Sequence, residues 1–164
     1  QSRSSAASDV YKRQYHNLPI LQEQGLMELD GGEWEGIPWT DLPEKFPEMA
    51  EIWWTAPYEF VSEQGESMRQ IYDRIWDTVM RLVQENPGKT IAVTSHGCAI
   101  RNFLCRAAGW PIEQLNDMDW SDNTAVSIVD FDEERNAIIR LKNDASHLTG
   151  EPTCAAPRDW TRKN

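Results

Sequence analysis

The chain has 164 residues, 40% of them apolar, with eight tryptophans and a formal net charge of -11. Its length suits one ordinary domain and its aromatic content a packed core, which excludes a disordered chain. The acidic balance excludes nucleic acid as a main partner, since a phosphate backbone calls for a basic footprint; a small anionic ligand answers to a local site instead.

Residues 1–14 differ in composition from all that follows and hold no apolar run. They read as a translated adapter scar outside the domain, which is expected over residues 15–150, with a polar tail at 151–164. Residues 15–20 read as the end of a helix passing into an extended segment at Pro19. Pro38, Pro43, Pro47 and Pro57 break the stretch 31–64 into short helices, around 40–45 and 47–54, in the manner of a cap or packed loop.

The clearest helix spans 67–86. Ser67 with Gln70 fits a capping box, and Ile71, Ile75, Val79, Leu82 and Val83 share one face. Asn86-Pro87-Gly88 stops it. The run Thr90-Ile91-Ala92-Val93-Thr94 then reads as a strand buried on both faces. It ends in Ser95-His96-Gly97, with a helix over 98–108. Two further strands, at 124–132 and 137–144, are expected to form a hairpin across the polar connection 132–136. Helix, strand, tight turn and helix in that order make the class α/β.

Cys98, Cys105 and Cys154 have neither a disulfide framework nor metal-ligand spacing, and read as free thiols in a reducing cytoplasm. The first two, seven residues apart on a helix, read as packing residues. No apolar run reaches the roughly 18 residues of a membrane-spanning helix, so no membrane partner is expected.

Two positions point to chemistry. His96 stands where a buried strand ends and a helix begins, the place where open α/β sheets bind ligands. The helix N-terminus beyond it offers unpaired N–H groups suited to a phosphate, and Gly97 lets a ligand approach the backbone. Glu28 opens the glycine-containing loop Glu28-Leu29-Asp30-Gly31-Gly32, where a carboxyl group can act as general acid or base.

The order of motifs is Leu26-x-Glu28, Gly32-x-Trp34-Glu35-Gly36, Gly65-Glu66-Ser67, Ser95-His96-Gly97, Asn123-Thr124, and then Asn143-Asp144 with His147-Leu148. It resembles the histidine-phosphatase superfamily, which includes the phosphoglycerate mutases, over residues 15–150. The resemblance implies a three-layer fold, a mostly parallel sheet with helices on both faces. It implies that Glu28 protonates the leaving oxygen, that His96 is a phosphate ligand, and that Gly97 offers a backbone N–H to the phosphate. Asn123 falls at the edge of the site. The Gly-Glu-Ser element starts a helix, Arg101 makes an ion pair within the fold, and His16 and His147 are structural or surface residues. No cofactor and no metal are implied, and the partner is a small phosphorylated metabolite. Oligomeric state has no signature in the sequence.

One departure is large. The family's nucleophile is a histidine in an Arg-His-Gly motif on the first, central strand, accompanied by early arginines that clamp the phosphate. None of these occurs in the chain. The resemblance therefore implies a phosphomonoester hydrolase acting through a phosphohistidine, present as its C-terminal two-thirds, inactive and of marginal stability by itself. Mutase-type phosphoryl transfer and a non-catalytic relative of the fold are the alternatives, and an unrelated α/β binding module a more distant one. The segment from Gly36 to Gly65 is short for a large mutase-type insertion, which favours hydrolysis.

Overall fold

The structure, a computed structural model, describes residues 19–148. The expectations for 1–14 and 151–164, and for His16 and Cys154, lie outside that range.

Two helices form the centre. The first begins at Ser67, whose hydroxyl accepts the Gln70 N–H at 3.2 Å while the Gln70 side chain accepts the Ser67 N–H at 2.7 Å. These reciprocal bonds satisfy two donors that a helix start otherwise leaves free. The helix runs Met68–Glu85 and buries Met68, Ile71, Tyr72, Ile75 and Val79; Leu82 and Val83, expected on the same face, are half-buried. Asn86 closes it, and Gly88 takes the positive φ that turns the chain away.

The second central helix runs Gly97–Ala107. It packs on the first, and Met68, Ile71 and Ile75 share one core cluster with Leu104, Cys105 and Ile112. Gly109, at φ +74°, ends it. The Tyr72 hydroxyl donates to the Trp110 carbonyl at 2.7 Å and ties the next turn back to the first helix.

The proline-rich segment folds into short pieces, as its spacing requires. They are single 3-10 turns at Gly32–Trp34, Trp39–Asp41 and Pro57–Glu59, and two helices at Leu42–Lys45 and Pro47–Thr55. In chain order the four α-helices among the described residues are α1 (Leu42–Lys45), α2 (Pro47–Thr55), α3 (Met68–Glu85) and α4 (Gly97–Ala107). The first two start with proline in their opening turn, where its missing N–H costs nothing.

Strands β1 (Val126–Phe131) and β2 (Ala137–Asp144) pair antiparallel, with Phe131 opposite Ala137 and Asp130 opposite Ile138. Asp132 holds the connecting turn by accepting the Asn136 backbone and side-chain N–H groups at 2.7 and 2.9 Å. Val129 and Ile139 pack toward the core, and Ile128 and Ile138 point outward and are exposed.

The expected sheet is seen only in part. Among the described residues it has two antiparallel strands, and the three-layer parallel arrangement is absent. The run 90–94, expected as a doubly buried strand, pairs with no strand there, and Ile91 and Val93 are 36% and 42% exposed. The reason is physical: β-branched residues favour extended backbone, but burial and pairing come only from a neighbouring strand.

Candidate active site

Strand-like chain leads into α4 at Ser95, whose hydroxyl donates to the Leu26 carbonyl at 2.6 Å. This bond pins the start of α4 to the loop that carries Glu28. His96 is the N-cap of α4, with extended backbone (φ -120°), and its half-buried side chain makes no capping bond.

The cap is Glu28. Its carboxylate accepts the Cys98 N–H at 3.1 Å, the Ala99 N–H at 3.0 Å and its neighbour Leu29's N–H at 2.9 Å. A carboxylate is stabilised at that end by both the hydrogen bonds and the helix dipole. Glu28 and His96 are thus brought to one helix N-terminus. The expectation that the N–H groups beyond His96 stand unpaired is corrected for Cys98 and Ala99: an intramolecular carboxylate already holds them.

An ion pair fixes the Glu28 loop from behind. Arg74 on α3 grips Glu66 with two parallel bonds of 2.7 Å. The same guanidinium donates to the carbonyls of Gly25 at 2.9 Å, Met27 at 3.2 Å and Glu28 at 3.4 Å. Glu66 in turn accepts the Asp30 N–H at 3.1 Å. The planar guanidinium suits this role because its five donors lie in a fixed fork. The Gly-Glu-Ser element starts α3 through Ser67, as expected, and it also orients the Glu28 loop through Glu66.

Backbones meet closely beside this pair. The Glu66 N–H donates to Asp30 at 2.9 Å, and the Glu33 N–H donates to Glu63 at 3.2 Å. A Cβ on Gly65 would lie 2.4 Å from the Asp30 carbonyl oxygen, and one on Gly32 would lie 2.2 Å from that of Glu63. Only glycine fits either position.

In front of Glu28 is a cleft of about 280 Å³. Its walls are aromatic: Trp34, Trp39, Trp53, Phe60 and Trp120. Phe60 meets the Trp34 and Trp53 rings edge-on at 4.8 and 4.9 Å. Trp34 is buried, and its indole N–H has no acceptor among the described residues. Trp120 passes over Gly97, 3.6 Å from where a Cβ would stand.

The other expected positions fall as follows. Gly97 is the first residue of α4, beneath Trp120. Asn123 is exposed in the turn before β1 and does not line the cleft. His147 is an exposed residue near Thr124. Arg101, expected in an ion pair, is buried and donates instead to the carbonyls of Met118 and Leu115, each at 2.8 Å. Its guanidinium stacks 4.6 Å from the Trp120 ring. Burial lowers its pKa from the ordinary arginine value. Cys98 and Cys105 are buried packing residues, as expected, and burial raises both thiol pKa values, that of Cys105 to about 11. Among the described residues no three His, Cys, Asp or Glu side chains converge as a metal site. Nor, among them, is any helix long and apolar enough to cross a membrane.

Arg74 and the aromatic walls are the parts of the site that the sequence pattern did not mark. For Arg74 a signal existed, a cation beside the apolar face of an amphipathic helix soon after a Gly-Glu turn. For the cleft the signal was partial: Trp34, Trp39 and Trp53 lie in the stretch read as a cap or packed loop, and Trp120 comes from a distant segment.

Comparison with known proteins gives a family and a fold. The model of the histidine phosphatase superfamily (branch 1) matches residues 6–144. Phosphoserine phosphatase 1 of Hydrogenobacter thermophilus is 29% identical over 135 residues, covering 80% of this chain and 62% of that protein. A 2,3-bisphosphoglycerate-dependent phosphoglycerate mutase of Brucella anthropi is 28% identical over 115 residues, covering 69% and 55%. The chain thus spans less than two thirds of the length of the curated relatives it matches, from 64% down to 35%. Among solved structures, Bacillus stearothermophilus YhfR superposes with a TM-score of 0.81 at 22% identity, covering 87% of this chain and 70% of that one. A mycobacterial glucosyl-3-phosphoglycerate phosphatase superposes with 0.74 at 17%, covering 84% and 70%. These structural likenesses show the fold.

Proposed function

Because the chain belongs to the histidine phosphatase superfamily (branch 1), we propose that it is the larger part of a phosphomonoester hydrolase acting on a small phosphorylated metabolite. The observation that carries this reading is the convergence of Glu28 and His96 on the N-terminus of α4.

In this reading a histidine of an Arg-His-Gly segment, outside this chain, attacks phosphorus. An N–P bond forms and the P–O bond to the alcohol breaks. The Glu28 carboxyl gives its proton to the departing oxygen. His96 and the Gly97 N–H hold phosphoryl oxygens, and Asn123 stands at the rim. Water then attacks the phosphohistidine, Glu28 takes its proton, and inorganic phosphate leaves with the nucleophile restored. No metal or other cofactor enters these steps. The 164-residue chain has no such nucleophile and is inactive alone.

Hydrolysis is preferred to mutase chemistry because the cleft is lined by Glu28 and Glu35, with no Lys, Arg or His among its described walls. A glycerate carboxylate has no cationic partner among those described walls. One observation favours a second reading, a non-catalytic relative: the Glu28 carboxylate is fully engaged as the cap of α4.

The test is hydrolysis of phenyl phosphate, with and without chelator, by this chain and by the same chain joined to an Arg-His-Gly strand. The reading expects no turnover by the first, and chelator-resistant turnover with an acid-labile phosphoryl label by the second. Turnover by the chain alone contradicts its inactivity. Abolition by chelator contradicts the metal-free mechanism. Failure of the joined protein supports the non-catalytic relative.

A further inference from the structure

Trp120 forms one wall of the cleft in front of Glu28, and it also covers Gly97, the residue after His96. It meets Gly97 by the Cε3–Cζ3 edge of its six-membered ring, 3.6 and 3.7 Å from where a Cβ would stand. That edge carries no N–H, so at Gly97 the indole supplies shape and no hydrogen bond. The side chain is 44% exposed. A side chain so far in solvent keeps its rotamer freedom unless something holds it.

Arg101 holds it. This residue lies one helical turn below Gly97 on α4, is 6% exposed and does not line the cleft. Its Nε and Nη2 donate to the carbonyls of Met118 and Leu115, and its guanidinium stacks 4.6 Å from the Trp120 ring centre. A guanidinium does both at once, because its donors lie in the plane and leave the faces free for an aromatic ring; an ammonium can reach the carbonyls but has no flat face to offer. The backbone on both sides of Trp120 is tied as well. Lys142 pairs with Asp119 at 3.2 Å, and the Ser121 hydroxyl donates to Asn143 Oδ1 at 2.5 Å. Trp120 is thus fixed before any ligand arrives, and the cleft keeps its shape in front of Glu28.

We propose that Arg101 is a positioning residue of the cleft: acting through Trp120, it fixes the wall against which the alcohol part of the phosphomonoester rests beside Glu28. This rests on the phosphomonoesterase reading above and adds to its site a residue that touches no substrate. A preformed wall lowers the ordering cost of binding equally before and in the transition state, so its loss raises KM and leaves kcat near its value. A purely structural role acts the other way: a smaller folded fraction lowers the apparent kcat and leaves KM.

Two measurements test it. The first is NMR of the 164-residue chain. Arg101→Lys should move the Gly97 amide and Hα resonances in the direction in which Trp120→Ala moves them, with those of Ala107, at the far end of α4, little changed. Trp120→Ala, at a half-exposed position, should in turn shift the Arg101 Nε–H resonance and speed its exchange, which decides the coupling even where Arg101→Lys does not fold. An Arg101 Nε–H that ignores Trp120→Ala, or a folded Arg101→Lys with Gly97 unmoved, overturns the proposal. The second is turnover of phenyl phosphate by the chain joined to its nucleophile strand. Trp120→Ala and Arg101→Lys should each raise KM about fourfold or more, the worth of one buried CH2 contact, with kcat within about twofold. Trp120→Phe should recover most of the loss, and the double variant should be no worse than Trp120→Ala alone. An unchanged KM in either single variant, or multiplied losses in the double, overturns the proposal. Absence of turnover by the joined protein with the resonance coupling intact rejects the phosphatase reading and leaves Arg101 as the residue that positions the cleft wall.

Discussion

Replacing Arg74 by alanine removes five hydrogen bonds at once, two to the Glu66 carboxylate and three to the carbonyls of Gly25, Met27 and Glu28. The Arg74 and Glu66 side chains are 25% and 22% exposed, so this is neither a surface pair worth under about 1 kcal/mol nor a dry one. Charge-assisted bonds inside a protein contribute about 1.5–3 kcal/mol each, and solvent access reduces these two to about 1 each. The 3.4 Å bond to Glu28 adds little, and the other two carbonyl bonds add roughly 0.5–1 each. The expected loss is about 3–4 kcal/mol, a fall in melting temperature of roughly 6–16 °C for a chain of this size. Urea unfolding of Arg74→Ala, Glu66→Gln and the double variant measures it. The double variant should lose well under the sum of the singles, because both act through one pair. Arg74→Lys should recover less than half, since an ammonium cannot reproduce the fork. A loss below about 0.5 kcal/mol, or strict additivity, would refute the claim that Arg74 holds the Glu28 loop.

Other consequences follow from single contacts. Gly65→Ala drives a Cβ to 2.4 Å from the Asp30 carbonyl oxygen and should cost about 1–3 kcal/mol by thermal melting, whereas Gly36→Ala meets no atom within 4 Å and pays only for its positive φ. Ser67→Ala removes the cap of α3 and should cost about 1 kcal/mol, with faster amide exchange confined to the first turn. Burial favours the neutral Cys105 thiol in the folded state, so its contribution is complete below the ordinary thiol pKa near 9 and is lost as pH rises toward about 11. Stability measured across that window should fall, and fall less in Cys105→Ala; an unchanged slope would remove Cys105 as the cause. At neutral pH both buried thiols should react with iodoacetamide only on unfolding.

What the sequence revealed of this fold was local. The amphipathic stripe of α3 and its Ser67–Gln70 box are read within 20 residues, and so are the α4 start, within one residue of Gly97, and the β1–β2 hairpin around Asp132. The run 90–94 shows where such reading stops: β-branched residues announce extended chain, but pairing depends on another segment. The site divides in the same way. Glu28 and His96 were marked by their places in a glycine loop and at a strand-to-helix junction. That Glu28 itself occupies the Cys98 and Ala99 N–H groups is a tertiary fact, set by the Ser95–Leu26 bond and the Arg74 fork. The aromatic cleft was legible only as a cap or packed loop over 31–64, because Trp34, Trp39, Trp53 and Trp120 are ordinary core candidates until the chain folds them together.

The central claim is that Glu28 moves a proton beside His96. Its most direct test is Glu28→Gln in the chain joined to its nucleophile strand, assayed on aryl and alkyl phosphates whose leaving groups span a wide range of pKa. Glutamine keeps the shape and can still accept the α4 N–H bonds through its carbonyl oxygen, but it cannot donate an acidic proton. The account predicts a small loss for the best leaving groups and a loss of about 100-fold or more for the poorest. An equal loss for every substrate, accompanied by a lower melting temperature, would contradict it and leave Glu28 as the cap of α4 alone.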